Sequence, residues 1–190
     1  MAVVALLAML TVSGAAHAKE PAPATVDTLQ VDLGVRYGLS FEKLDVNPWR
    51  LGWGGAIGYT RENAIYLGAS FDYYDGEVKK YPADNYPDPT IGGNYWQALA
   101  QVGYDLRLSK RWLWRPKVGV GWATLNFNDC ITTIDGVECA KTYTSETALV
   151  PALQLMFVTP VSFSLEARYV MLFNSVTIKH ALVGGFGIGF

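Results

Sequence analysis

Lys179-His180-Ala181-Leu182-Val183-Gly184-Gly185-Phe186-Gly187-Ile188-Gly189-Phe190 is the stretch whose reading decides the fold. Counted in twos, His180, Leu182, Gly184, Phe186, Ile188 and Phe190 form one set; Lys179, Ala181, Val183, Gly185, Gly187 and Gly189 form the other. A period of two puts the sets on opposite faces of a strand. One face is bulky and apolar, the other small with a lysine at its start. The pattern runs to Phe190, so the fold is expected to use this strand to its last residue. If the alternation recurs upstream, the strand is one stave of a closed barrel.

It does recur. Leu29, Val31, Leu33, Val35, Tyr37, Leu39 and Phe41 alternate with Gln30, Asp32, Gly34, Arg36, Gly38 and Ser40, a pattern no helix gives. A second strand over 50–60 sets Leu51, Trp53, Ile57 and Tyr59 against Gly52, Gly54, Ala56 and Gly58, and Arg61-Glu62-Asn63 turns it tightly. A third sets Ile65, Leu67, Ala69, Phe71 and Tyr73 against Tyr66, Gly68, Ser70, Asp72 and Tyr74. In the fourth, Trp96, Ala98, Ala100, Val102 and Tyr104 oppose Gln97, Gln101, Gly103, Asp105 and Arg107, before the turn Ser109-Lys110-Arg111. The fifth sets Trp112, Trp114, Val118, Val120 and Trp122 against Arg115, Lys117, Gly119, Gly121 and Ala123. The sixth has Tyr143, Thr147, Leu149, Leu153 and Leu155 against Glu146, Ala148, Ala152, Gln154 and Met156, and Thr159-Pro160 is a short turn. The seventh sets Val161, Phe163, Leu165, Ala167 and Tyr169 against Ser162, Ser164, Glu166 and Arg168.

With the quoted stretch this makes about eight strands, an even number whose connections alternate between long and tight. The long connections are 42–49, the irregular segment 75–94 with Pro82, Pro87 and Pro89, the loop 126–141, and 174–177. Pro116 and Pro151 each remove a ladder hydrogen bond and are read as bulges near strand ends.

A chain of 190 residues suits one domain with a sizeable core. It is 51% hydrophobic with a mean hydropathy of +0.16. Residues 2–12 are a short apolar run followed by Ser13-Gly14-Ala15 and Ala16-His17-Ala18, which reads as a secretory signal peptide over 1–18. No Lys or Arg precedes the run, which suggests either that the true start lies upstream or that the signal is weak or atypical. A membrane anchor is the alternative, but the run is shorter than the ~20 residues of a spanning helix. A Pro- and Ala-rich tail over 19–28 then leads into the barrel domain, 29–190. No later stretch is apolar for long enough to span as a helix, so the hydrophobicity is carried by the strands.

The net charge of −2 and pI near 5.6 argue against a nucleic-acid partner. Cys130 and Cys139 flank the short polar segment from Ile131 to Glu138. In an exported protein such a pair is expected to close a disulfide, with two free thiols as the alternative. His180 is the one histidine after the signal, so no zinc site is expected, and no cofactor.

Alternation alone does not say which face is outside, since a soluble lipocalin-like barrel would put the apolar face in. Volume decides. The polar face carries Gly34, Gly38, Gly52, Gly54, Gly58, Gly68, Gly103, Gly119, Gly121, Gly185, Gly187 and Gly189, while the apolar face carries nearly all the Trp, Phe and Leu. A barrel of about eight strands has an interior just wide enough for side chains to fill. The small set fits there, so the bulky set must face lipid. With the N-terminus on the periplasmic side, Tyr59, Tyr104, Trp112, Trp114, Phe157, Phe163, Phe186 and Phe190 fall near one rim. Phe41, Trp53, Phe71, Tyr73, Trp96, Trp122, Tyr143 and Phe173 fall near the other, giving two interfacial girdles. The expected fold is therefore all-β, an eight-stranded antiparallel up-and-down transmembrane β-barrel, which also removes the open edges lipid would not tolerate.

With its signal, alternating strands and terminal strand ending in phenylalanine, the chain resembles small eight-stranded outer-membrane proteins of the OmpA, OmpX and OmpW type. The resemblance covers the whole mature chain as an architecture and implies residence in the outer membrane of a Gram-negative bacterium, among lipid and lipopolysaccharide, as a monomer. It also implies that Leu182, Phe186, Ile188 and Phe190 are the signal read by the barrel-assembly machinery. The peptidoglycan-binding domain of the OmpA pattern is not expected after Phe190.

The expected lumen carries Arg36, Arg107, Arg115, Lys117, Arg168 and Lys179 against Asp32, Asp72, Asp105, Glu146 and Glu166. Signs nearly balance, as pairing in a narrow interior requires. Arg36, Glu166 and Arg168 are expected at the centre from their mid-strand positions. The network reads as a structural plug, and alternatively as the gate of a narrow channel for ions or small apolar solutes. An enzyme is disfavoured. The lipid A deacylases of this shape use a histidine and a serine two apart on one strand, whereas His180 has Ile178 and Leu182 there. His180 is read as an interfacial residue near the outer rim. The segment 75–94, with Tyr81, Asp84, Tyr86 and Asp88, is a possible surface for a ligand. It could also hold divalent cations near lipopolysaccharide, or be a solvated loop without a fixed role.

Overall fold

The computed structural model describes residues 28–41, 47–80, 90–133, 136–173 and 180–190, and the backbone alone of 77–80, 90–91, 127–133 and 136–142. The expected signal peptide, the tail up to residue 27 and Lys179 lie outside the described residues. The regular elements are strands: β1 (Thr28–Ser40), β2 (Leu51–Thr60), β3 (Ile65–Lys80), β4 (Thr90–Tyr104), β5 (Leu106–Arg107), β6 (Trp112–Thr133), β7 (Gly136–Phe157), β8 (Ser162–Phe173) and β9 (His180–Gly189). They pair antiparallel in the order β4-β3-β2-β1-β9-β8-β7-β6, and β4 pairs with β6 to complete the ring. The eight long strands form a closed barrel, and β5 is a two-residue extension of β4.

The seam between the first and last strands runs from Asp32↔Gly189 to Ser40↔Ala181. It is prolonged by two bonds between Val31 and Phe190, with N–H to O distances of 3.1 and 2.9 Å. The quoted stretch is thus paired to its last residue.

The faces divide as volume demands. Leu29, Trp53 and Trp122 are 66%, 60% and 66% exposed, whereas Asp72 and Gln97 are fully buried and Arg168 is 1% exposed. This is a soluble protein turned inside out. The outward aromatics fall on continuous rungs. Trp53↔Tyr73↔Trp96 crosses β2, β3 and β4 towards the long hairpins, and Trp112↔Phe157↔Phe163 crosses β6, β7 and β8 at the end with the short turns.

Two expectations about the strands need correction. The described residues of 75–94 and 126–141 are strand, not loop: β3 reaches Lys80 opposite Thr90, and β6 reaches Thr133 opposite Gly136, while 81–89, with Tyr81, Asp84, Tyr86 and Asp88, lies outside the described residues. Successive polar residues such as Asn126, Asn128 and Asp129 hide the period of two there, because a ladder beyond the apolar belt needs no apolar face. The register of the β6–β7 hairpin sets Cys130 opposite Cys139. Pro116 and Pro151 are not bulges. On either side of Pro116 the register is unbroken, Gly103↔Lys117 and Leu106↔Trp114, and the missing rung separates β5 from β4. The β7–β8 ladder likewise skips from Leu149↔Met171 to Ala152↔Arg168 across Val150 and Pro151. A proline without an N–H deletes a rung and leaves its neighbours in step. The register shift falls instead between Asp75 and Val78.

The turn between β2 and β3 is closed by Arg61 N–H to Ile65 O and Ala64 N–H to Arg61 O, both 2.9 Å. It holds Ala64 at a φ of 67°, a left-handed conformation that costs an L-residue about 1–2 kcal/mol. Ala64→Gly is therefore expected to stabilise the barrel by about 0.5–1 kcal/mol, after the extra freedom glycine gives the unfolded chain. Reversible urea unfolding in lipid vesicles would measure it.

Candidate functional site

Inward parity brings charged residues from non-adjacent strands to the middle of the lumen. Asp72 (β3) pairs with Arg168 Nη1 (β8) and lies 3.3 Å from Arg36 Nε (β1). Glu166 (β8) lies 2.8 Å from Arg168 Nη2 and 3.5 Å from Arg36 Nη2. The four groups form a ring of alternating sign. Lys117 (β6) extends it, 2.9 Å from Glu166 Oε1 and donating to Gln154 Oε1 at 3.2 Å. Gln97 donates to Asp72 at 3.0 Å and accepts from the Tyr95 hydroxyl at 2.8 Å.

Glycine lets these side chains reach one another. Arg36 meets Asp72 across β2, where a Cβ on Gly54 would collide with the Asp72 carboxylate. Arg36 meets Glu166 across β9, where a Cβ on Gly185 would stand 2.8 Å from Arg36 Cδ. The strands between the partners have been cleared of side chains at those heights.

Towards the short turns a second cluster centres on Arg115. Its guanidinium binds Asp105 through Nε (2.5 Å) and Nη2 (2.9 Å), and Nη2 also reaches Gln30 Oε1 at 3.1 Å and Thr60 Oγ1 at 3.3 Å. Its plane lies over the Tyr66 ring, 3.9 Å from the centroid, in cation–π range. Asp32 accepts from Gln30 at 2.8 Å.

Towards the long hairpins the lumen turns apolar. Trp49, Tyr74, Tyr95, Leu99, Leu125, Val150, Val170, Leu172 and Val183 form a buried cluster with small alanines. Trp49 enters from the β1–β2 connection and packs on Tyr95 with ring centroids 5.0 Å apart. A Cβ on Gly38 would stand 2.7 Å from Trp49 Cβ, so glycine makes room for this entry.

Of the expected lumen charges, Asp32, Arg36, Asp72, Arg115, Lys117, Glu146, Glu166 and Arg168 are buried inside, and the Asp105 side chain is 8% exposed. Arg107 is exposed on β5, past the end of the lumen. Arg36, Glu166 and Arg168 meet at the centre. Gln30, Thr60, Gln97 and Gln154 complete the network, and inward parity on their strands is the signal that finds them. Trp49 had no such signal, since it lies outside the strands. His180 is half-buried and stacks on Tyr169 at 5.6 Å, with 12° between the rings.

No protein-family model and no curated protein matches the sequence. Solved structures do resemble it. Ail, the attachment invasion locus protein of Yersinia pestis, was solved in complex with the heparin analogue sucrose octasulfate. It is 19% identical with a TM-score of 0.56, over 86% of this chain and 98% of that one. A second crystal structure of Ail gives 16% and 0.53, over 86% and 95%. Neisserial surface protein A gives 15% and 0.50, over 86% and 96%. The fold is that of small eight-stranded outer-membrane barrels.

Asp72 is held by two arginines and a glutamine, so neutralising it leaves buried positive charge uncompensated. Asp72→Asn is expected to cost about 3–5 kcal/mol in urea unfolding. Gly54→Ala should destabilise in the same direction, since it crowds the same carboxylate.

Proposed function

We propose that the protein is a non-enzymatic, monomeric integral outer-membrane barrel of a Gram-negative envelope, with its short turns in the periplasm and a lumen closed by its own side chains. The observation that carries this reading is the ring Arg36–Asp72–Arg168–Glu166, which ties β1, β3 and β8 across the interior below an apolar seal. A pathway for ions needs hydrated space, and these side chains fill it with buried pairs. The continuous outward apolar belt supports lipid and lipopolysaccharide as its surroundings. Leu182, Phe186, Ile188 and Phe190, all outward on or next to β9, suit the role of assembly signal. Removal of residues 1–18 as a signal peptide completes this reading.

Planar-bilayer recording of the refolded mature protein is the test, and the expected outcome is a silent bilayer. Discrete openings that change in Glu166→Gln would support the narrow channel instead and make the lumen charges a gate.

A role in surface interaction is the second reading. It is favoured by β3, β4, β6 and β7, whose ladders continue beyond Leu51↔Asp75 and Thr147↔Phe173, the last rungs towards the hairpin end with β2 and β8 among the described residues. Replacing 81–89 by a short Gly-Ser turn should leave the barrel folded and abolish binding of whole cells to a ligand-coated surface.

Cys130 and Cys139 are proposed to form a disulfide at the outer end of that sheet. Native protein is expected to resist alkylation by iodoacetamide and to gain two labels after reduction, read by intact mass.

A further inference from the structure

Among the described residues, Trp49 is the one member of the apolar cluster that does not come from a strand. Every other wall of the cup, including Tyr74, Tyr95, Leu125 and Val150, is fixed by the barrel ladder. Trp49 is tethered at one place. Gly38 N–H donates to Trp49 O at 2.7 Å, Trp49 N–H to Asn47 Oδ1 at 3.0 Å, and Asn47 Nδ2 to Gly38 O at 2.8 Å. Next to the indole, the Tyr74 ring lies 5.6 Å from that of Tyr95. The Tyr74 hydroxyl is fully buried and has no hydrogen-bond partner among the described residues. The Trp49 indole N–H is likewise buried without a hydrogen-bond partner among the described residues, and buried polar groups are costly to leave unpaired, so the closed arrangement leaves both demands unmet.

We propose that the hairpin-end half of the lumen is a binding pocket for a small planar aromatic solute with one polar group, and that Trp49 is a tethered occupant which such a solute displaces. Two tyrosine faces give a ring offset or tilted stacking partners. Leu125, Val150 and Val183 line the pocket with apolar surface, the buried carboxylate of Glu146 at the same level disfavours an anionic solute, and the Tyr74 hydroxyl selects a molecule able to hydrogen-bond it. The charged ring lies below the pocket, so a displaced Trp49 leaves the barrel shut to ions. The proposal goes beyond the closed-barrel reading, and conductance, which tests that reading, does not enter the experiment below.

Indole is the probe, titrated calorimetrically into the refolded full barrel and corrected for uptake by empty micelles. Saturable one-site binding is expected in the wild type. Asn47→Ala should bind roughly tenfold more tightly, because the competitor loses two of its tethering hydrogen bonds. Trp49→Ala should bind more tightly still, and Asn47→Ala carries the comparison should that variant not fold. Tyr74→Phe should weaken indole several-fold and leave indene, which lacks the N–H, unchanged. Wild-type protein that takes up no indole at saturating concentration overturns the proposal, whatever the variants do. So do equal affinities in wild type and Asn47→Ala, which would leave Trp49 a fixed plug.

Discussion

Eight strands enclose a cylinder with room for side chains and little else, and that limit on volume orders the whole molecule. Residues too large for the interior go outside, where Leu33, Leu165 and Trp122 make a belt suited to lipid. What remains inside is glycine, alanine, polar groups and a few rings. Because the interior is narrow, a charge on one strand meets charges on strands two or more places away around the ring. The polar network is thus a consequence of closure.

That network balances its charges internally. A carboxylate buried alone would be prohibitively expensive, but Asp72 and Glu166 share Arg36 and Arg168, so each charge faces more than one partner. The glycines of β2 and β9 are the counterpart of this sharing. They are the low places over which long side chains pass. Arg115 does similar service nearer the short turns, with a carboxylate at its edge and an aromatic face under its plane.

Much of this was legible in the residues. A period of two needs no knowledge of partners, so the strands, their faces and most of the inward charges could be read from alternation in β1, β2, β8 and β9. Legibility failed where alternation did. In the upper parts of β3, β4, β6 and β7 nothing forces one face to be apolar, and strands looked like loops. Prolines 116 and 151 mark lost hydrogen bonds, but whether a lost bond shifts a register depends on the neighbouring strand. Arg107 has inward parity on β4, yet its place beyond the Pro116 gap sets it outside. Trp49 belongs to no period at all, and its burial follows from the shape of the chain around Gly38 and Asn47.

The rung Asp32↔Gly189 joins residues from opposite ends of the barrel domain. No smaller closed cylinder exists along the way: an intermediate with seven strands has two raw edges, each a row of unpaired amides and carbonyls that hydrocarbon cannot solvate. Closure of the cylinder waits until the last strand is at hand to meet the first. A chain lacking its last strand gains no closed barrel from the strands it has completed.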